Sequence, residues 1–194
     1  MDGATRAKRA DARRNEETLL AAAAAVFVTS GVEAPIRDIA ARAGVGTATI
    51  YRHFPTRAAL IVAVYRHQVE ALAEAGPALL EQSATPHAAL GQWIDLFVDF
   101  LVTKLGLAAV LQSDDPCFDP LHSYFLDRTL PVCTRLLDAA AASGEARADL
   151  DAYELLRGVA SLCVGGNKPG YDARRMVGLL VAGLRRESSA SSAE

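Results

Sequence analysis

The stretch IRDIAARAGVGTATIYRHFPTRAALIVAVY, residues 36–65, decides how this chain folds. Its apolar residues recur three and four apart, which is helical spacing, and small or cyclic residues cut the pattern into three pieces. Ile36, Ile39, Ala40 and Ala43 form the inner face of a first piece, residues 36–43. Gly44 breaks it, and Val45 begins the link to a second piece, residues 47–54, whose inward residues are Ile50 and Phe54. Pro55 stops that piece. Thr56 is a good N-cap for a third, with Leu60, Ile61 and Val64 inward until about Glu74. Two short helices joined by a tight, glycine-bearing turn are the sequence form of a helix-turn-helix.

Outward from this centre the pattern stays helical. On the N-terminal side a helix is expected over residues 15–30, with Leu19, Leu20, Ala23, Val26 and Phe27 on one face and Gly31 placed to end it. Pro35 suits the first turn of the next helix, where its missing N–H is not needed. Residues 1–14 hold Arg6, Lys8, Arg9, Arg13 and Arg14 with little apolar surface, and are expected to form a flexible basic arm. On the C-terminal side Gly76-Pro77 reads as a domain boundary. Residues 86–104 follow, with Leu90, Trp93, Ile94, Phe97, Val98 and Leu101 in a broad inward stripe. A short helix is expected over 105–112, then a polar loop over 113–120. The next helix, 121–143, contains Pro131, which should kink or split it. Helices over 151–164 and 172–186, joined by a loop at 165–170, lead to a disordered tail at 187–194. Period-2 alternation is absent, so the fold class is all-α: a DNA-binding-type head (15–75), joined through a fourth helix to a helical body (76–186).

Charge separates the two parts. The whole chain is −3, but residues 1–57 carry nine Lys and Arg against six acids, a net +3, and the rest is −6. Phosphate affinity follows local charge, so a basic head on an acidic body fits a nucleic-acid contact. The cysteines, Cys117, Cys133 and Cys163, are odd in number and widely spaced, which suits neither a disulfide framework nor a zinc site. No apolar run reaches the ~18 residues of a membrane span. Glu16 and Glu17 directly precede the apolar run 19–28, unlike a signal peptide, so a cytoplasmic location is expected.

In the helix-turn-helix, Thr47, Ala48, Thr49, Arg52 and His53 are the outward residues of the second helix. Small side chains at its start let it enter the ~12 Å major groove. Thr49 can donate, accept or offer its methyl to thymine, and Arg52 can take guanine with two hydrogen bonds or reach a phosphate. Tyr51, His53, Thr56 and Arg57 have the chemistry of phosphate anchors, and Arg37 completes the DNA-binding set. The stretch resembles the TetR/AcrR-type regulators, whose pattern is DIA-x-x-AGVS-x-x-T-[LI]-Y-x-[HY]-F-x-[SN]-K-x-x-L after a helix ending F-x-x-x-G. Phe27 and Gly31 match that ending. The resemblance implies that Thr47, Ala48 and Thr49 face bases, that Tyr51 and His53 grip phosphates, and that Arg57 stands at a phosphate-binding lysine position. Gly46 replaces a usual Ser, Ala48 a frequent Gly, and Ala34-Pro35 a capping Thr or Ser. The basic arm, lying along phosphates or in the minor groove, is expected to compensate for the absent capping hydroxyl.

For the body, the resemblance implies a regulatory domain that binds a small molecule and pairs two copies through the last two helices. Those helices are apolar over more than one stripe, which asks for a second partner. Arg157 and Arg175 would sit at its rim. Trp93, Phe97, Phe100, Phe118, Tyr124 and Phe125 are candidate pocket residues, each with plain core as the alternative. His67, His87 and His122 lack metal-ligand spacing, Gly165-Gly166 reads as a turn, and no catalytic motif is present, so neither cofactor nor enzyme activity is expected. A dimer must set its recognition helices ~34–36 Å, or a multiple of it, apart to read a near-palindromic operator. An apolar or amphipathic effector that fits only another spacing would release it, with the fourth helix as the lever. The alternatives are a ligand-independent or partner-dependent DNA-binding regulator, a thiol-responsive one using the three cysteines, and, weakest, an enzyme.

Overall fold

The computed structural model describes residues 2–107, 111, 116–164 and 170–186. Half of the expected helix at 105–112, part of the loop at 113–120, nearly all of the loop at 165–170 with Gly165-Gly166, and the tail at 187–194 lie outside them. The described residues form eight helices: α1 (Asp2–Ser30), α2 (Ile36–Ala43), α3 (Thr47–His53), α4 (Arg57–Gln82), α5 (Pro86–Gly106), α6 (Leu121–Ala142), α7 (Ala152–Val164) and α8 (Ala173–Gly183). No strand occurs among them, and the only β pairing there is one isolated bridge, Ala146 to Arg185.

Two expectations need correction. First, α1 starts at Asp2, so residues 2–14 of the expected arm are helical. The segment is rich in Ala and Arg, good helix formers, and Arg14 pairs with Asp11 while Arg13 pairs with Glu17 at 2.9 Å, both at helical spacing. Second, α4 does not stop near Glu74 but continues through Gly76 and Pro77 to Gln82. Pro131 likewise sits inside a single helix, α6, without splitting it.

Contacts divide the chain into two compact units. One comprises 1–70 with 102–125, the other 71–101 with 126–194. In the first, Leu19, Leu20, Ala23, Val26 and Phe27 of α1 are buried together with Ile39 and Ala40 of α2, Ile50 of α3, Phe54, and Leu60, Ile61 and Val64 of α4. In the second, the α5 stripe is buried as its spacing requires, along with Leu136 and Leu137 of α6, Leu155, Leu156 and Val159 of α7, and Val177 and Val181 of α8. His87 is a satisfied core histidine. Its backbone N–H donates to Glu145 Oε2 at 2.9 Å, and its Nε2–H donates to the Val181 carbonyl at 3.1 Å. The bridge adds two antiparallel bonds, Arg147 N–H to Leu184 O and Arg186 N–H to Glu145 O, both 2.9 Å.

Gly76 has a packing role. A Cβ there would lie 2.1 Å from Val132 Cγ1, so α4 and α6 meet where only hydrogen fits. Pro77 offers no N–H to the carbonyl one turn back, and beside this site the Trp93 indole N–H reaches the Leu72 carbonyl at 2.8 Å. Gly76→Ala therefore overpacks a stiff β-branched neighbour, which typically costs about 1–3 kcal/mol, against a helix-propensity gain of up to ~1 kcal/mol. Urea unfolding is expected to show net destabilisation for Gly76→Ala. Adding Val132→Ala should recover part of it, giving a coupling of at least ~0.5 kcal/mol. Additive losses would contradict the close packing of the two residues.

Candidate nucleic-acid interface

The helix-turn-helix is built by backbone hydrogen bonds around one residue. Gly44 has φ +68°, and its N–H and that of Val45 return to the carbonyls of Ala41 (3.3 Å) and Ala40 (3.0 Å). That pair of bonds closes α2 and turns the chain at once. Gly46 is extended and precedes α3, whose first turn closes with Thr49 N–H to Gly46 O at 2.9 Å. Phe54 caps the far end through its N–H to Ile50 O at 2.8 Å. Thr56 then caps α4 as its type suggests: its Oγ accepts from Ala59 N–H at 3.0 Å.

With Ile50 and Phe54 buried, the rest of α3 is turned out. Thr47, Ala48, Tyr51, Arg52 and His53 are exposed and Thr49 is half-buried. Tyr51, 53% exposed, is a large aromatic ring with no core to fill, which suits contact with a partner. No acidic residue lies on α3. Arg42 and Arg52 are exposed nearby in sequence, and Arg37 is exposed with Asp38 3.5 Å away. The face therefore offers hydroxyls, a narrow helix start and cations, the donor set used on base edges and phosphates.

Two site residues have partners within the fold that no sequence signal foretold. His53 Nδ1 lies 2.9 Å from the Thr49 carbonyl. A carbonyl only accepts, so Nδ1 carries the proton, and the ring can donate to a phosphate through Nε2 only as imidazolium. Arg57 Nη1 donates to the Val32 carbonyl at 2.5 Å, bridging 25 positions of sequence.

The six candidate pocket aromatics fall into two groups. Trp93, Phe97 and Phe100 are at most 3% exposed and stack along α5 in the second unit, with centroids 6.2 and 6.3 Å apart. Phe118, Tyr124 and Phe125 belong to the first unit. There the Tyr124 hydroxyl donates to the Glu70 carboxylate, Arg66 lies 5.2 Å over the Tyr124 ring, and Lys104 lies 5.8 Å over that of Phe125. Burial holds Lys104 below the ordinary lysine range. Of the cysteines, Cys117 is exposed. Cys133 is buried, and burial, seconded by the charge of Asp151, pushes its thiol up to about 12. Burial also raises the Cys163 thiol, with Arg174 pulling the other way. No helix among the described residues is long and apolar enough to cross a membrane.

Known proteins share this arrangement. Residues 19–64 match the family of bacterial regulatory proteins of the tetR type, and residues 85–186 match the SbtR-like C-terminal domain of transcriptional regulators. A TetR transcriptional regulator from Streptomyces coelicolor is 36% identical, with 89% of this chain and 99% of that one covered at a TM-score of 0.78. A TetR regulator from Mycobacterium vanbaalenii is 31% identical over 92% and 99%, with a TM-score of 0.69. A transcriptional regulator from Saccharomonospora viridis, solved in complex with choline, shares the fold at 22% identity over 91% and 98%, with a TM-score of 0.65. No curated protein matches the chain. The two matched segments, the all-helical fold and the helix-turn-helix agree: the chain belongs to the TetR family of DNA-binding transcriptional regulators.

Proposed function

We propose that the protein is a dimeric repressor that holds a near-palindromic operator and is released by a small apolar or amphipathic molecule. One observation carries the dimer. The last two helices bury one apolar face and leave another uncovered, with Tyr153 43%, Met176 38%, Leu179 58% and Val164 72% exposed. A second copy related by a two-fold axis covers such a face with the same residues. In that dimer Thr47, Ala48, Thr49 and Arg52 face bases, while Arg37, Tyr51, His53 and Thr56 lie along phosphates. The two α3 helices stand ~34–36 Å, or a multiple of it, apart.

The effector reading rests on the buried aromatic row of Trp93, Phe97 and Phe100 and on the half-buried Tyr124 beside Phe125. The choline-bound neighbour of the same fold supports a small-molecule role for the body. Release follows when the ligand favours a dimer of different spacing, by no more than its differential affinity for the two forms. With residues of both units on one helix, α4 is the lever, and the protein acts in the cytoplasm. The thiol-responsive alternative is disfavoured at Cys133 and Cys163, whose raised thiols leave little thiolate to react.

Leu179→Asp is expected to turn the dimer into a monomer in light-scattering chromatography and to weaken operator binding at least ~100-fold, because two half-sites no longer bind together. A wild-type monomer, or a Leu179→Asp dimer, would refute the interface. The Cys133 thiol titrates near 9 when unperturbed and near 12 in the fold. The unfolded chain therefore loses that proton first, and stability falls as pH rises from about 9 towards 12. Comparing Cys133→Ala with wild type by denaturant unfolding across that range should show a shallower decline for the variant.

A further inference from the structure

We infer that Arg57 is a positioning residue that clips the two ends of the helix-turn-helix together. The proposal concerns a DNA-binding protein but does not depend on repression or on an effector. The start of α2 lacks a side-chain cap: Pro35 precedes it and makes no capping hydrogen bond. The turn before it is held by Gly31 N–H to Phe27 O (3.1 Å) and Ala34 N–H to Gly31 O (3.2 Å), and the first turn of α2 closes with Asp38 N–H to Pro35 O (2.9 Å). None of these uses the carbonyl of Val32, although Val32 and Ala34 are buried, at 8% and 3% exposure. Arg57, half-buried at the first position of α4, supplies the donor.

The placement of this bond gives it leverage. Val32 lies just before α2 and Arg57 just after α3, so their hydrogen bond closes the segment 32–57 on itself. Gly44 sets the angle between α2 and α3, the Thr56 cap sets the start of α4, and the guanidinium ties the junction at which Pro35 supplies no side-chain cap. A hydrogen bond from a charged donor is stronger than a neutral one, and its acceptor is a neutral carbonyl rather than a phosphate. Arg57 on this reading acts on DNA through the orientation of α2 and α3.

Salt dependence separates the two roles, since each phosphate contact contributes a slope of about −0.9 in log K against log[salt]. The full chain and its Arg57→Ala variant would be titrated with a duplex that the wild type selects from a random pool, between 50 and 200 mM salt (about the range over which such slopes are resolved). Amide exchange over residues 31–38 would be followed in the free proteins. Expected are binding at least ~10-fold weaker at every salt concentration with the slope unchanged, and faster exchange at Ala34 and Asp38. Arg57→Lys, which keeps one donor of similar reach, should restore most of both. A slope shallower by about 0.9 per half-site with exchange unaltered would overturn the proposal, as would unchanged affinity. If Arg57→Ala does not fold, Arg57→Gln gives the same two readouts. Failure of the wild type to select any duplex would count against operator binding, while the exchange comparison would still decide the clip.

Discussion

At Gly44 the backbone takes φ +68°, and the amides of Gly44 and Val45 fold back onto the carbonyls of Ala41 and Ala40. This left-handed step is steep for any residue with a Cβ, even though nothing lies within 4 Å of where that Cβ would be. The demand is conformational rather than spatial. It ends α2 and starts α3 within three residues, and burial of Ile50 and Phe54 then leaves the opposite side of α3 outward. The exposed Thr47, Ala48, Tyr51, Arg52 and His53 are a consequence of that geometry. With only a modest positive excess on the head, the proposed DNA contact rests on the placement of these groups more than on bulk charge.

The parts of the fold governed by local chemistry were readable from residues alone. Pro35, Gly44, Pro55 and Thr56 act on their immediate neighbours, and the bounds of α2 and the cap of α4 follow from them. The helical spacing of Trp93, Phe97 and Phe100 also placed three rings on one face. Where tertiary packing decides, the same rules misled. Gly76-Pro77 has the composition of a linker, but Val132 packs onto the space that Gly76 leaves, and the helix continues. Residues 2–14 are polar enough to look unstructured, yet Ala, Arg and ion pairs at helical spacing make them the start of α1. The bond from Arg57 to Val32 spans 25 positions and left no pattern to find.

α4 gathers several of these features into one element. Its start carries the Thr56 cap and the Arg57 bond, its first turns bury Leu60, Ile61 and Val64, and Gly76 nearer its end receives Val132. Residues of both compact units lie on this single helix, which at 26 residues is about 39 Å long. A change that repacks the Val132 end therefore acts on the same helix that carries the Arg57 bond. The proposal that α4 carries an effector's influence to the operator rests on this shared helix.

Direct readout by α3 is best tested by guanine N7 methylation interference on the selected duplex, because N7 is presented in the major groove. Insertion of α3 from both copies predicts two clusters of interfering guanines centred one helical turn, ~34–36 Å, or a multiple of it, apart. In wild-type protein both should be present, and Arg52→Ala should weaken the same position in each half. Binding with no interfering guanine on a site that contains them in both halves, or a single cluster without a two-fold mate, would contradict it.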